Sequence, residues 1–414
     1  YSNGDDSGAS FVVFGKNDGI AIELSNVENG NGGFVINGAS ANDKSGNAVS
    51  SAGDVNGDGL ADLIVGAFYD DPNGSYSGAS FVVFGKNDGT TVELSNIEMG
   101  NGGFVINGVD AGHGSGYSVS NAGDVNGDGL ADLITGTQFD DTNGSNSGAS
   151  FVVFGKPDGT AVELSSIKAG TGGFVINGVN GTVQSGKSVS SAGDVNGDGL
   201  DDLIIGARLD NPNNPIGYGG GASFVVFGKD DGSTVELSDV EGGNGGFVIN
   251  GVSDGDHSGE SVSNAGDVNG DGLADLIVGA PYDHQNDAFN GASFVVFGKN
   301  NGTAVELSDV EGGNGGFVIT SGRHVSGAGD VNSDGLADLI IGSNSDNPNG
   351  SFSGASYVVF GKNSGTAVET SNIEMGNGGF VINGVSENAQ SGQSVSNAGD
   401  VNGDGFNDLI IGAS

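Results

Sequence analysis

Six nine-residue stretches of the chain hold three aspartates, an asparagine and a glycine in one spacing. The first is Asp54-Val55-Asn56-Gly57-Asp58-Gly59-Leu60-Ala61-Asp62, and the others begin at Asp124, Asp194, Asp267, Asp330 and Asp400. Asp54, Asn56, Asp58 and Asp62 stand at positions 1, 3, 5 and 9, and Gly59 at position 6 takes a positive φ without steric penalty. Side chains at alternate positions of so curled a backbone converge, and the Leu60 carbonyl at position 7 can turn inward. All the donors are hard oxygens, and three are carboxylates that would repel one another without a cation. That set suits Ca²⁺ better than Mg²⁺, which keeps several of its waters. The same roles fall to Asp124, Asn126, Asp128, Leu130 and Asp132, then to Asp194, Asn196, Asp198, Leu200 and Asp202. They recur at Asp267, Asn269, Asp271, Leu273 and Asp275, and at Asp330, Asn332, Asp334, Leu336 and Asp338. The last set is Asp400, Asn402, Asp404, Phe406 and Asp408. An acidic Asx-turn without metal is the plainer alternative, but six recurrences of the whole donor set favour about six Ca²⁺ sites.

The residues that must position these loops also repeat. The loops are spaced by 70, 70, 73, 63 and 70 residues, the sign of an array of one supersecondary unit. An EF-hand would need Glu at position 12. Here that place is Val65, inside the apolar run Leu63-Ile64-Val65, so a strand follows the loop. Each unit reads as four antiparallel strands: A, of small residues (Val49-Ser50-Ser51); B, Asp62 to Val65; C, Phe81 to Phe84; and D, Gly103 to Ile106. A lone four-stranded sheet leaves a face uncovered. Arranged radially, such sheets bury each face on a neighbour, which predicts an all-β chain forming a β-propeller of six four-stranded blades in one domain, 1–414. Strand A, poor in bulk, suits the crowded innermost position, and no polar capping units argue for a linear solenoid. The chain opens with a C–D pair and finishes with an A–B pair. This predicts a ring closed by the N-terminal C–D strands pairing with the C-terminal A–B strands.

Composition narrows the function. Glycine contributes 84 of 414 residues without a collagen period, so it marks turns. The net charge is −42, and six bound Ca²⁺ would leave −30, which makes nucleic acid and anionic membranes poor partners. There is no cysteine, hence no disulfide and no thiol chemistry. No apolar run approaches the roughly 20 residues of a membrane span, so no membrane insertion is expected. The start at Tyr1, without Met or leader, suggests a processed chain or an excerpt.

Phe84-Gly85 with Gly66-Ala67, and most fully Phe297-Gly298 with Gly279-Ala280-Pro281, resemble the FG-GAP signature. Together with the Asp-x-Asn-x-Asp-Gly-x-x-Asp loops, the whole chain is similar to the FG-GAP propellers of integrin α subunits and of bacterial surface proteins. Integrin propellers have seven blades, so the alternative is seven blades with one outside this chain. The resemblance implies calcium loops that are mostly structural on one face, and partners engaged through the B–C and D–A loops on the other. Carried over, those loops hold Phe68, Tyr69, Tyr76, Phe139, Arg208, Tyr218, Tyr282, His284, Phe289, Arg323, His324 and Phe352. Aromatic and arginine side chains are enriched at binding hot spots.

The expected function is a calcium-stabilised, extracellular or cell-surface adhesion or ligand-binding module, monomeric and part of a larger bacterial surface or secreted protein. Its partner would be a protein or a carbohydrate, the latter making it a lectin-type binder. A polysaccharide-acting enzyme and a structural spacer are the remaining readings. Against an enzyme, His113, His257, His284 and His324 fall in non-equivalent loops and read as solvated polar residues. The paired acids Asp70-Asp71 and Asp140-Asp141 adjoin turn residues and carry no assigned acid and base roles.

Overall fold

Strand C explains why these sequences form sheets at all. Its β-branched and aromatic run, as in Ala79–Val83, is buried along its whole length, so both faces must be covered. The computed structural model describes residues 3–15, 22–179, 181–210, 219–283, 291–402 and 404–413. The chain forms two compact units, residues 1–191 with 228–238, and residues 192–227 with 239–414.

In the first unit, two sheets run in the order A–B–C–D. One holds Ala48–Gly53, Asp62–Ala67, Ala79–Val83 and Gly103–Asn107; the other holds Ser118–Gly123, Asp132–Thr137, Ala149–Val153 and Gly173–Asn177. All neighbours are antiparallel, with Val65 opposite Phe81 and Phe81 opposite Val105. Ile64, Val82 and Phe104 of one sheet share a core with Leu133, Phe151 and Val153 of the next. Phe151 is fully buried there, and Phe151→Ala is expected to cost about 3–5 kcal/mol in a urea unfolding experiment. The second unit repeats the pattern with Ser261–Gly266, Asp275–Ala280, Ala292–Val296 and Gly316–Ile319, and with His324–Gly329, Asp338–Ser343, Ala355–Val359 and Gly379–Asn383. Within it, Asp202–Ala207, Ala222–Val226 and Gly246–Asn250 follow one another as B, C and D. The chain is thus all-β apart from one-turn helices, with repeated four-stranded sheets, which is consistent with a β-propeller.

Three features were not read from the sequence. A one-turn helix follows strand C in each repeat; in Leu94–Ile97 the end residues sit three apart and are both buried. Before it, a two-residue strand pairs in parallel with strand D of the preceding repeat, as Val162–Glu163 does with Ile106 and Asn107. The glutamate of that strand then bridges the repeats. Glu163 accepts hydrogen bonds from Asn107 Nδ2 (2.7 Å) and Asn73 Nδ2 (3.0 Å). Glu93 does so with Asn37 and Asn3, and Glu236 with Asn177 and Asn143. In the second unit Glu306 accepts from Asn250, and Glu369 from Thr320 Oγ1. Glu163→Ala removes both of these bonds, leaving Asn73 only its bond to the Gly108 carbonyl, so it should lower stability by about 1.5–3 kcal/mol, read from urea midpoints.

Strand D begins at a glycine for a steric reason. A Cβ on Gly103 would lie 1.9 Å from the Val82 carbonyl oxygen, so no larger residue fits at this register.

At the chain ends the strands are half-covered. Ala9–Val13 and Gly33–Asn37 pair with Val92–Glu93, and Phe11 and Val13 stay 37% and 44% exposed. Ser394–Gly399 and Asp408–Gly412 form a separate two-stranded sheet in which Ile410 is 60% exposed.

Candidate functional site

The A–B loops are curled by their own backbone. Gly57 and Gly59 take φ of 76° and 87°, which turn successive N–H groups inward. Asp54 Oδ1 accepts from the Gly57 and Asp58 N–H groups at 2.8 and 3.1 Å, and its Oδ2 accepts from Gly59 at 2.9 Å. Asp58 Oδ1 accepts from Leu60 N–H at 2.9 Å. Asp62, fully buried, receives the N–H groups of Val55 and Gly85 at 2.9 and 2.6 Å. The loops beginning at Asp124, Asp194 and Asp267 repeat these bonds. Positions 3, 5 and 9 do converge. Asn196 Nδ2 lies 2.9 Å from Asp198 Oδ2 and 3.4 Å from Asp202 Oδ1, and Asn269 holds Asp271 and Asp275 in the same way.

Electrostatics makes the loops unfavourable as they stand. Burial pushes the carboxyls of Asp132 and Asp275 up to about 7; two backbone N–H groups oppose this, and the other two aspartates of each loop reinforce it. Asp338 is pushed up to about 6, and Asp62 is raised for the same reasons. A cation beside such a group would reverse the penalty. The donor set therefore fits a hard divalent ion. Among the described residues no three His, Cys, Asp or Glu side chains form a metal-ready cluster. The reason is visible in the bonds above: each carboxylate is turned onto loop N–H groups, and the asparagine amide fills the space between. Successive loops are also chained together. Ala131 N–H donates to the Asp54 carbonyl at 3.1 Å, Ala274 to Asp194 and Ala337 to Asp267.

The B–C and D–A loops lie at the other end of each sheet, as the antiparallel order requires. In the first unit they bring together Tyr76, Tyr69, Phe68, Tyr117 and Phe139, each ring 4.1–6.3 Å from the next. Tyr117 escaped the sequence reading because it lies at the edge of a strand, although it links the two loops. Among the described candidates Tyr76, Tyr282 and Phe352 are exposed, whereas Phe68, Tyr69, Phe139, Arg208 and Arg323 are half-buried. Arg208 is held by Glu260 at 2.9 Å, and Arg323 lies over the Tyr282 ring. Tyr218, His284 and Phe289 fall outside the described residues.

The histidines are also more engaged than expected. His113 Nδ1 lies 3.3 Å from Asp140 Oδ2, a charge contact off hydrogen-bond alignment, and Lys168 Nζ lies 3.1 Å from the same oxygen. Burial opposes charge on Asp140, yet His113, Thr142 and Lys168 together hold its carboxyl well below the usual range. His113 is raised in turn by Asp140. His257 packs edge-on against Tyr282.

One repeat earlier the residues equivalent to Asp140, His113 and Lys168 are Asp70, Asp43 and Glu98. Burial, then Asp43 and Glu98, push Asp70 up to about 7. Its folded value lies above the unfolded one, so ionisation destabilises the fold; the penalty is absent below about pH 4 and full above pH 7. The double variant Asp43→His/Glu98→Lys copies the neighbouring repeat. It should gain about 1–2 kcal/mol at pH 7, and the gain should shrink toward pH 4, both read from urea midpoints.

The FG-GAP repeat family profile matches residues 45–83, 115–153, 185–226, 258–296, 321–359 and 391–414. Curated relatives include Integrin alpha-4 of Xenopus laevis, 32% identical over 168 residues that make up 40% of this chain and 15% of the relative. Integrin alpha-PS5 of Drosophila melanogaster is 33% identical over 36% of this chain and 14% of its own length. Integrin alpha pat-2 of Caenorhabditis elegans is 29% identical over 55% and 18%. The chain thus spans less than a fifth of each of these relatives.

Proposed function

Because the chain belongs to the FG-GAP repeat family, we propose that it is a calcium-stabilised, non-catalytic ligand-binding module of an extracellular or cell-surface protein. The observation that carries this reading is the burial of the position-9 aspartates. Asp62, Asp132, Asp202, Asp275 and Asp338 are each fully buried at the end of an acidic loop, a placement that favours a bound cation. In each loop the ligands would be the side chains at positions 1, 3, 5 and 9 and the carbonyl at position 7, Asp54, Asn56, Asp58, Asp62 and Leu60 in the first. When bound, Ca²⁺ supplies charge neutralisation; the protein supplies the curled loop and the strands that fix it. With the calcium loops structural, the opposite B–C and D–A loops are left to engage a partner.

We further propose six blades closed into a ring, the first C–D pair completing the blade begun by the last A–B pair. Seven blades, one of them outside this chain, is the alternative. What supports closure is the complementarity of the two half-covered ends. Among the described residues no helix is long and apolar enough to cross a membrane.

Binding of the folded protein to collagen- and laminin-coated surfaces, measured by biolayer interferometry with calcium and after chelation, tests the adhesive role. Calcium-dependent binding that falls with Tyr76 or Phe352 variants is the expected result. Binding that ignores both calcium and those residues would refute it.

A further inference from the structure

In the first unit, Asp6, Asn42, Lys44 and Tyr76 rim a cleft of about 500 Å³. All four have left-handed backbones, with φ of 55°, 70°, 51° and 57°. Asp and Asn visit that region readily, but a tyrosine there is an outlier that requires an explanation. The turn does not supply one. Asp71 Oδ1 accepts the Tyr76 N–H at 2.6 Å, and in the next repeat Asp141 accepts the Asn146 N–H at 2.7 Å with φ of 53°. Asparagine therefore builds the same turn without strain. A ring stands at position 76 although the turn disfavours it, and it is 55% exposed. Phe352 occupies the equivalent position in the second unit, with φ of 53° and 53% exposure.

The surroundings define what the ring could bind. Tyr69 braces Tyr76 edge-on at 5.1 Å and rests on Phe68 at 4.1 Å. Asn42, Lys44, Asp71 and Ser75 place donors and acceptors around the opening, a mixture that matches hydroxyls, which both give and take hydrogen bonds. The Lys44 ammonium sits 4.7 Å over the Tyr69 ring and fills the place an organic cation would take. Asp6, Asp43 and Asp71 outnumber that one lysine, so an anionic ligand is repelled.

We propose that this cleft binds a neutral saccharide, its C–H face stacked on Tyr76 and its hydroxyls bonded by Asn42, Lys44 and Asp71. The proposal rests on the ligand-binding reading above and names a ligand class for it. Cleft size agrees, since about 500 Å³ accommodates one or two sugar rings.

The test is saturation-transfer NMR with millimolar maltose, cellobiose, lactose and chitobiose, and with sialyllactose as the anionic comparison. The chain has seven tyrosines and no tryptophan, so tyrosine emission gives a second readout close to the site. Tyr76→Asn reproduces the turn of Asn146 and removes only the ring; Tyr76→Phe keeps the ring. At least one neutral disaccharide should bind, Tyr76→Asn should weaken it about tenfold or more, and Tyr76→Phe should change it by less than about threefold. Neither variant should melt below the parent. Failure of every neutral disaccharide, equal binding by Tyr76→Asn, or equal binding of sialyllactose would overturn the proposal. If the sugars fail while Tyr76→Asn still abolishes binding to the protein-coated surfaces, the saccharide class falls and the ligand-binding reading stands. If both fail, both fall.

Discussion

Chelation of calcium is expected to lower the melting temperature by about 20 °C or more. A ligand present at about 100 times its Kd stabilises by roughly 2.7 kcal/mol per site, and several such sites act on one chain. About 2 °C of melting temperature accompanies each kcal/mol in a large domain. The loops are coupled as well, because the Ala131 N–H is bonded to the Asp54 carbonyl and later loops are joined in the same way. Losing one ion should therefore loosen the next loop. Calorimetry with millimolar calcium and with excess chelator checks this, and overlapping melting curves would contradict it. The metal-free protein should also respond to pH in the less common direction. Asp132 and Asp275, buried and beside two other aspartates, titrate near 7 in the folded chain against about 3.9 unfolded. Their folded value is raised, so the penalty is full above pH 7 and is relieved as pH falls from 7 toward 4. Chelated protein should thus melt higher at pH 5 than at pH 8, whereas calcium-loaded protein should not, since its ligands must be ionised to bind.

The strands and loops were legible because local chemistry determines them. The Phe-Val-Val run reads as a strand, buried along its whole length in interior repeats such as Ala79–Val83, and Asp-Gly at loop positions 5 and 6 reads as a turn. The glutamate bridges were not legible. Glu163 precedes a short helix and looks like a surface acid; its partners Asn73 and Asn107 lie 90 and 56 residues away and meet it only through the parallel pairing of Val162 with Ile106. The ion triad around Asp140 escaped notice for a related reason. His113, Asp140 and Lys168 come from three separate segments, and in the preceding repeat the same three positions are all acidic. On the ligand face, aromatic identity was legible but exposure was not, because ring-on-ring packing of Phe68, Tyr69 and Tyr117 decides it.

Deleting residues 1–38 is expected to lower the melting temperature by about 10 °C or more, if the proposed ring closes as the repeats imply. The argument comes from the glutamate bridges. Glu93, Glu163, Glu236 and Glu306 each engage the asparagine that ends strand D of the preceding repeat, and Glu369 engages Thr320, the residue just after it. The repeat leaves one glutamate and two amides over. Glu23 is the equivalent acid of the first repeat, and Asn383 ends the last strand D. Asn349, the counterpart of Asn73, already donates to the Gly384 carbonyl at 2.8 Å, as Asn73 does to Gly108. Closure would bring Glu23 to Asn349 and Asn383, Ile22 alongside Ile382, and Phe11 opposite Ile411, following the register in which Phe81 faces Val65. It would also cover the exposed Phe11, Val13 and Ile410. A single substitution separates the alternatives more cleanly than the deletion. In a closed ring Glu23→Ala should cost about as much as Glu163→Ala, roughly 1.5–3 kcal/mol. With the ends apart, or with a further blade intervening that lies outside this chain, Glu23 is an exposed acid whose loss should change stability by less than about 0.5 kcal/mol. The chain has no cysteine, so Phe11→Cys with Ile411→Cys adds an independent check. An intramolecular disulfide under dilute oxidation supports closure, and cross-linked dimers would instead show that the two ends meet between copies.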